Sequence, residues 1–254
     1  MTFQGVVFKN KLLQALSDED GLLLLPRFET VSLALRQPLE TAHQRIAAVY
    51  FLESGLASVV ASKYGGSTVE VGLIGCDGMT GTSLTQHDTE SPFDCFVQME
   101  GSAMRISADD LFSAMSQSVS LSKLFIRYTR SLGVQTTYTA LASAQIKIEE
   151  RLARWILMVH DRMDDNSFFV THEFLGMMLG VQRPGVTIAL QTLELKHLIG
   201  SHRGEVLVKD RTGLINLTKG TYGPSEDEYE RLTGIQLSKS RLFPRDDTPL
   251  CRSA

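Results

Sequence analysis

Cysteine is scarce in this chain of 254 residues. Cys76, Cys95 and Cys251 are an odd number without CxxC spacing, which argues against a disulfide framework or a structural zinc site. No cysteine precedes Cys76, so an iron–sulfur cluster held by an N-terminal cysteine group is excluded. No apolar run approaches the roughly 18 residues that cross a bilayer. Residues 1–5, Met-Thr-Phe-Gln-Gly, lack the apolar core of a signal peptide, so the expectation is a cytoplasmic protein with no membrane partner. The chain has no His-x-His pair, no Gly-x-Ser-x-Gly elbow and no phosphate-binding P-loop. No catalytic residue, metal site or cofactor is therefore predicted, and the chain is not read as an enzyme. Haem alone stays open, because one axial His or Met leaves no pattern; His43, His87 and His160 read as surface or packing residues. Arginine is also missing between Arg45 and Arg105.

An apolar content of 43% is enough for cores in two domains. The net charge of −4 argues against a non-specific nucleic-acid coat, but it is unevenly spread: residues 171–219 hold six Lys/Arg against four Asp/Glu, leaving −6 for the remainder. Contact with phosphate would fall on the C-terminal part.

That part carries the clearest local pattern. Thr171 is a natural N-cap for a short amphipathic helix whose apolar stripe is Phe174, Leu175, Met178 and Leu179. Gly180 breaks it, and Pro184 stands in the first turn of a second helix with Val186, Ala189, Leu190 and Leu193 as its stripe. Two helices joined by a tight glycine turn describe a helix-turn-helix, whose second helix reads the major groove. Beyond it, Val206-Leu207-Val208, flanked by 201–205 and 210–214, reads as a two-stranded wing.

The ordered set Thr171-x-Glu-Phe-Leu-Gly-x-x-Leu-Gly-Val-x-Arg183, followed by Arg203-Gly-x-x-x-Val-x-Asp-Arg-x-Gly-Leu214, resembles the DNA-binding domain of the Crp/Fnr superfamily of bacterial transcription regulators. Val49-Tyr-Phe-Leu-Glu-Ser-Gly55 resembles the signature strand of its N-terminal sensor, a cyclic-nucleotide-binding type of β-roll, so the likeness extends to about Leu217. It implies that Arg183 reaches guanine edges, with Gln182, Gly185 and Thr187 beside it and Thr171, His172, Arg203 and Lys209 toward phosphates; Arg183 as a plain phosphate clamp is the alternative. Pro184 and Ile188 replace the family's usual Glu and second Arg, so the operator should differ from that of the cyclic-AMP receptor. RNA polymerase is a further partner the likeness allows.

From 28 the period falls toward two, with strands expected over 46–52, 57–61, 69–74 and 95–99 and glycines at Gly55, Gly65, Gly66, Gly75, Gly78 and Gly81 as turns. Two short helices over 8–25, with Ser17 as a cap and 22–25 as an apolar plug, precede them. In the resembled family a Gly-Glu pair and an Arg-Ser/Thr-Ala run hold the cyclic phosphate. Here Gly81-Thr82 and Ser91-Pro92-Phe93 occupy those registers, without the glutamate or the arginine. An unpaired phosphate would lie partly desolvated, which argues against cyclic AMP and leaves the small-molecule effector unknown. Thr136-Thr137, by the same register, would face adenine; a helix interface is the plainer reading. Together Gly81, Thr82, Ser91, Thr136 and Thr137 are the candidate effector pocket. Cys76, beside Asp77, reads as structural rather than redox-active, since a neighbouring carboxylate raises a thiol's pKa.

Leu121, Phe125, Tyr128, Leu132, Gln135, Thr139, Ala142 and Ile146 recur at spacings of four and three, a heptad seam suited to a two-stranded coiled coil. The family's dimer interface lies on this helix, so the first six are the predicted homodimer contact; a helix packed on its own roll has the same periodicity. The expected architecture is α+β: an antiparallel, jelly-roll-like β-roll sensor over 1–118, a long dimerisation helix over 119–146, a winged helix-turn-helix over 147–220, and a short helix with a poorly ordered tail over 221–254. A polar break at 164–167 is the candidate linker. The expected function is a homodimeric regulator on a palindromic double-stranded DNA operator. A cyclic-nucleotide-responsive regulator with an altered pocket, or a winged helix that docks protein without binding DNA, are the alternatives.

Overall fold

In the computed structural model of the chain, Thr2, Phe3 and residues 6–237 are described. Cys251 and the predicted tail from 238 onward lie outside them. A hairpin of β1 (Thr2–Phe3) and β2 (Val6–Val7) leads into α1 (Lys11–Gln14) and α2 (Asp18–Leu24). Asn10 caps α1 by accepting from the Leu12 and Leu13 amides, and the Ser17 hydroxyl caps α2 as expected. Of the 22–25 plug only Leu24 is fully buried; Leu22 faces solvent.

The roll is a five-stranded antiparallel sheet. β3 (Glu29–Leu33), β7 (Asp94–Ser107), β5 (Ala48–Ser62) and β6 (Thr68–Ile74) lie side by side in that order, with β4 (Pro38–Glu40) also on β7. The two strands expected over 46–52 and 57–61 are one strand, β5. Gly55 does not turn the chain; its left-handed φ of 79° sits where the pairing with β7 shifts register, and a Cβ there would meet the Met99 carbonyl oxygen at 2.5 Å. The bulge bends a 15-residue strand into the roll without breaking it.

α3 (Ala108–Gln117) and α4 (Val119–Gln145) follow, capped by the Ser107 and Ser118 hydroxyls. α4 overturns the predicted coiled-coil seam. Leu121, Phe125, Tyr128 and Gln135 are buried inside their own chain, where Phe125 packs on Phe51 with ring centroids 5.5 Å apart. Leu132 packs against the sheet core, and the Thr139 hydroxyl receives a hydrogen bond from Arg154 (3.1 Å). The physical reason is simple: a four-three repeat marks an apolar stripe, not the surface that covers it. Here the covering surface is the roll on one side and α9 (Pro224–Thr233) on the other, whose Tyr229 stacks edge-on against Tyr128 and donates to the Asp77 carbonyl (2.7 Å). The short helix expected near 222–232 is thus part of the core.

α5 (Ile148–His160) opens the C-terminal unit. The polar break at 164–167 turns it into β8 (Ser167–Phe169), then come α6 (His172–Leu179), α7 (Arg183–Leu195), β9 (Ile199–His202), β10 (Glu205–Val208) and α8 (Arg211–Leu217). The wing has three strands, in the order β8-β10-β9, not two. Residues 211–214, expected in the wing, begin α8, because Asp210 accepts from the Gly213 amide and caps a helix. Among the described residues no helix is long and apolar enough to cross a membrane.

Roll and C-terminal unit share one apolar core, which joins Leu56 and Leu73 to α5, α6 and α7. Two buried polar links cross it. Arg162 binds Asp77 through two nitrogens at 2.7 and 2.9 Å, both side chains shut off from solvent. Glu70 of β6 accepts from the Trp155 indole (2.9 Å) and lies 2.7 Å from Ser58 Oγ, which is in turn 2.6 Å from Gln98 Oε1. Burial raises Glu70 from 4.5 to about 7, against the pull of Ser58, Trp155, Arg162 and Arg154. Protonated, Glu70 can donate to Ser58, which then passes its own hydrogen to Gln98.

Two outcomes follow. Phe125→Ala should destabilise the fold by about 3–5 kcal/mol, read as a shift of the denaturant midpoint that does not depend on protein concentration; a concentration-dependent loss would mean that the stripe faces another chain. For Glu70, the folded state holds the proton more tightly than the unfolded one. Its contribution is therefore full below about pH 4.5 and lost as the pH rises to about 7. Relative to Glu70→Gln, the wild-type unfolding free energy should fall by about 2–3 kcal/mol between pH 5 and pH 8; parallel profiles would place the titration elsewhere.

Candidate nucleic-acid interface

The sequence builds the helix-turn-helix by local rules. Thr171 Oγ1 accepts from the Phe174 amide (3.1 Å), starting α6, and Gly180 ends it with a left-handed φ of 63°. Val181 and Gln182 lead to α7, where Pro184 falls in the first turn. Phe174, Leu175, Met178, Leu179, Val186, Ala189, Leu190 and Leu193 are all buried, as the stripe predicts. What remains outside is the face of α7 carrying Gln182, Arg183, Pro184, Ile188, Gln191 and Leu195.

The predicted contact residues divide. Gln182 and Arg183 are exposed, and the Arg183 guanidinium has no hydrogen bond or ion pair among the described residues. Arg203 and Gly204, with φ of 50° and 86°, form the two-residue turn between β9 and β10, so Arg203 stands at the wing tip. Lys209 is exposed just beyond the wing. Thr171 is exposed but its hydroxyl is engaged in the cap. His172 Nδ1 lies 3.1 Å from Thr187 Oγ1, which also donates to the Arg183 carbonyl (3.2 Å); these two groups tie α6 to α7 and leave Thr187 its methyl. Gly185 is turned inward, and a Cβ there would meet Ile148 at 3.5 Å. Gln191, one helical repeat beyond Thr187 and Ile188, is an exposed group of the same face that was missed, although its spacing of eight from Arg183 was there to be read.

Charge is sorted too. Of the six basic residues over 171–219, Arg211 binds Asp161 at 2.6 Å and Lys219 binds Glu150 at 2.5 Å. Arg183, Lys196, Arg203 and Lys209 are exposed and unpaired among the described residues.

The unit is seated on the roll through α6. Phe174 meets Phe96 edge-on at 6.0 Å, and Met178 Sδ lies 3.6 Å from Ser58 Oγ. A Cβ on Gly180 would touch Val69 of β6 at 3.2 Å.

The predicted effector residues are engaged within the chain. The Gly81 amide donates to Glu40 Oε1 (2.7 Å), and Ser91, buried, donates its hydroxyl to the Phe93 carbonyl (2.7 Å). Burial pushes Glu40 up, against the pull of Gly81 and Ser91. The Thr82 carbonyl accepts from Thr85, and the Thr136 and Thr137 hydroxyls donate back to Leu132 and Gly133 of their own helix. Cys76 bonds the Arg162 carbonyl at 3.5 Å, and burial with Asp77 beside it pushes the thiol up to about 11, so it is not a ready thiolate. His160 is held between Asn166 (2.8 Å) and Arg211 (2.9 Å).

Residues 150–217 match the Crp-like helix-turn-helix domain. No match was found among curated proteins. Among solved structures the chain resembles FixK2 from Bradyrhizobium japonicum, with a TM-score of 0.66 and 15% identity over 75% of this chain and 96% of that one. It also resembles a Crp-family transcriptional regulator from Thermus thermophilus (0.56, 15%, covering 83% and 100%), and the c-di-GMP-responsive global regulator CLP from Xanthomonas campestris (0.57, 16%, covering 76% and 99%). At such identities the likeness is one of fold.

Proposed function

Residues 150–217 are a Crp-like helix-turn-helix domain in a chain with the fold of Crp/Fnr regulators, and from that premise we propose that the protein is a sequence-specific transcription regulator that binds DNA as a homodimer. The observation that carries this reading is the outer face of α7, with an unpaired Arg183 at its first turn and Lys196, Arg203 and Lys209 unpaired around it. A guanidinium at the start of a helix lying in the major groove can meet guanine O6 and N7 in a bidentate pair. Gln191 offers an amide of the kind that pairs with adenine, and the three other cations suit phosphates.

Pairing of two chains falls on the outer face of α4. Its inner face is already buried, whereas Ile126 is 49% and Leu141 37% exposed, and Gly133 between them has no atom within 4 Å of where a Cβ would stand. Two such helices would set the two α7 readers about 34 Å apart, one turn of DNA. The effector is not a cyclic nucleotide in this reading, since Glu40 takes the Gly81 amide, the Phe93 carbonyl takes the Ser91 hydroxyl, and no arginine lies between Arg45 and Arg105 to pair a phosphate.

A second reading has its own support: Ile188 and Leu195, 64% and 81% exposed on the same face of α7, would also suit a protein partner. Duplex binding whose log–log salt slope is steep favours DNA; a flat slope favours docking.

Arg183→Ala should weaken binding to the selected operator by about 1–3 kcal/mol, with the loss confined to one base pair per half-site when every substitution is titrated. Equal loss on all sequences would make Arg183 a phosphate contact. Calorimetry with cyclic AMP and cyclic GMP should give no saturable heat; saturable heat that disappears in Ser91→Ala would return the cyclic nucleotide to the roll.

A further inference from the structure

A cleft of about 540 Å³ opens between the roll and α6, in the size range of small-molecule sites. Its floor is the edge-to-face pair of Phe96, from β7, and Phe174, from α6, extended by the thioether of Met177. One wall belongs to the roll, with Asp94 and Glu40 at the ends of β7 and β4. The other belongs to the first helix of the helix-turn-helix, with Glu173. Any occupant therefore touches both units.

The lining is built for positive charge. It holds three carboxylates against the one guanidinium of Arg36. Glu40 is bound to Gly81, and Asp94 gives one oxygen to the Ala42 amide (2.9 Å), leaving the other available. Glu173, on α6, has no hydrogen bond or ion pair among the described residues. Aromatic rings act in the same sense, since their faces carry negative potential and attract cations. Apolar floor and acidic rim together describe a site for an organic cation with an apolar body.

We propose that this cleft binds an apolar organic cation, an arylalkyl ammonium or a quaternary onium, between Asp94 and Glu173 over Phe96 and Phe174, and that this is the effector site of the regulator. The binding claim stands on the cleft alone; the effector role rests on the DNA-binding reading above. α6 is tied to α7 by His172 and Thr187, so a ligand that bridges β7 to α6 fixes where the reading helix stands relative to the roll.

Tetraphenylphosphonium and tetraphenylborate are matched in shape and opposite in charge, which makes them the probes. Titrated calorimetrically into the full chain, the cation should bind one per chain and be preferred over the anion by roughly tenfold or more, the scale of one partly desolvated charge contact. Asp94→Asn with Glu173→Gln should abolish the preference while leaving the unfolding midpoint in place. Glu173→Gln alone, at an exposed position, should remove part of it, and Phe96→Ala should weaken both ions. Equal binding of the two ions, binding of neither, or a preference that survives the double variant would overturn the site. A cation that saturates the cleft without changing operator affinity would overturn the effector role, whereas a chain that binds no DNA at all leaves the calorimetric result readable and fails the functional proposal instead.

Discussion

Gln135 holds the molecule's spine to its sheet. Its side-chain amide accepts from the Leu73 amide (2.7 Å) and donates to the Leu73 carbonyl (3.2 Å), the two hydrogen bonds a neighbouring strand would have made to β6. The backbone of a strand at the sheet edge needs partners, and a helix cannot supply them from its own backbone. A glutamine on the helix can. With α4 fixed there, Phe125 and Tyr128 fall into the roll, α9 closes over the other side, and α5 is delivered to the junction with Trp155 aimed at Glu70. Replacing a buried polar contact of this kind with nothing leaves unsatisfied groups on both partners, which is why one amide can set the position of a 27-residue helix.

The junction between roll and reader follows the same logic at higher stakes. Arg162 and Asp77 face each other shut off from solvent, and removing either partner would strand a buried charge. Such a pair adds little to stability over an apolar contact of equal volume, but its two parallel bonds are lost if either partner is displaced. Glu70 works differently. Burial raises its pKa to about 7, so below that pH it bonds the roll to α5 in a form that carries no charge to bury.

Legibility in the sequence tracked how local each cause was. Caps at Ser17, Thr171 and Gly180, and the buried apolar stripe of α6 and α7, were readable because each is determined within one or two helical turns. The fold class was readable from the family resemblance together with the change of period along the chain. The face of α4 was not, because periodicity states that Leu121, Phe125 and Tyr128 are covered without stating by what. Gly55 misled in a related way: positive φ serves a bulge as well as a turn, and only the partner strand distinguishes them. Within the candidate site, the exposed place of Arg183 at the start of α7 follows from the buried stripe on the other side of that helix, whereas its role was implied only by the family resemblance. Glu40 was not legible, since its position on Gly81 depends on an edge strand 41 residues away.

The contact between Gly180 and Val69 bears on how the reading head is aimed. The bend of the helix-turn-helix rests on the end of the β5–β6 hairpin, as a lever rests on a stop. The pairing of Val69 with Ala61 of β5 sets the height of that stop. A change in the bulk of residue 69, or a slip of that register, would shift the helix-turn-helix against the roll without altering a single residue on the exposed face of α7.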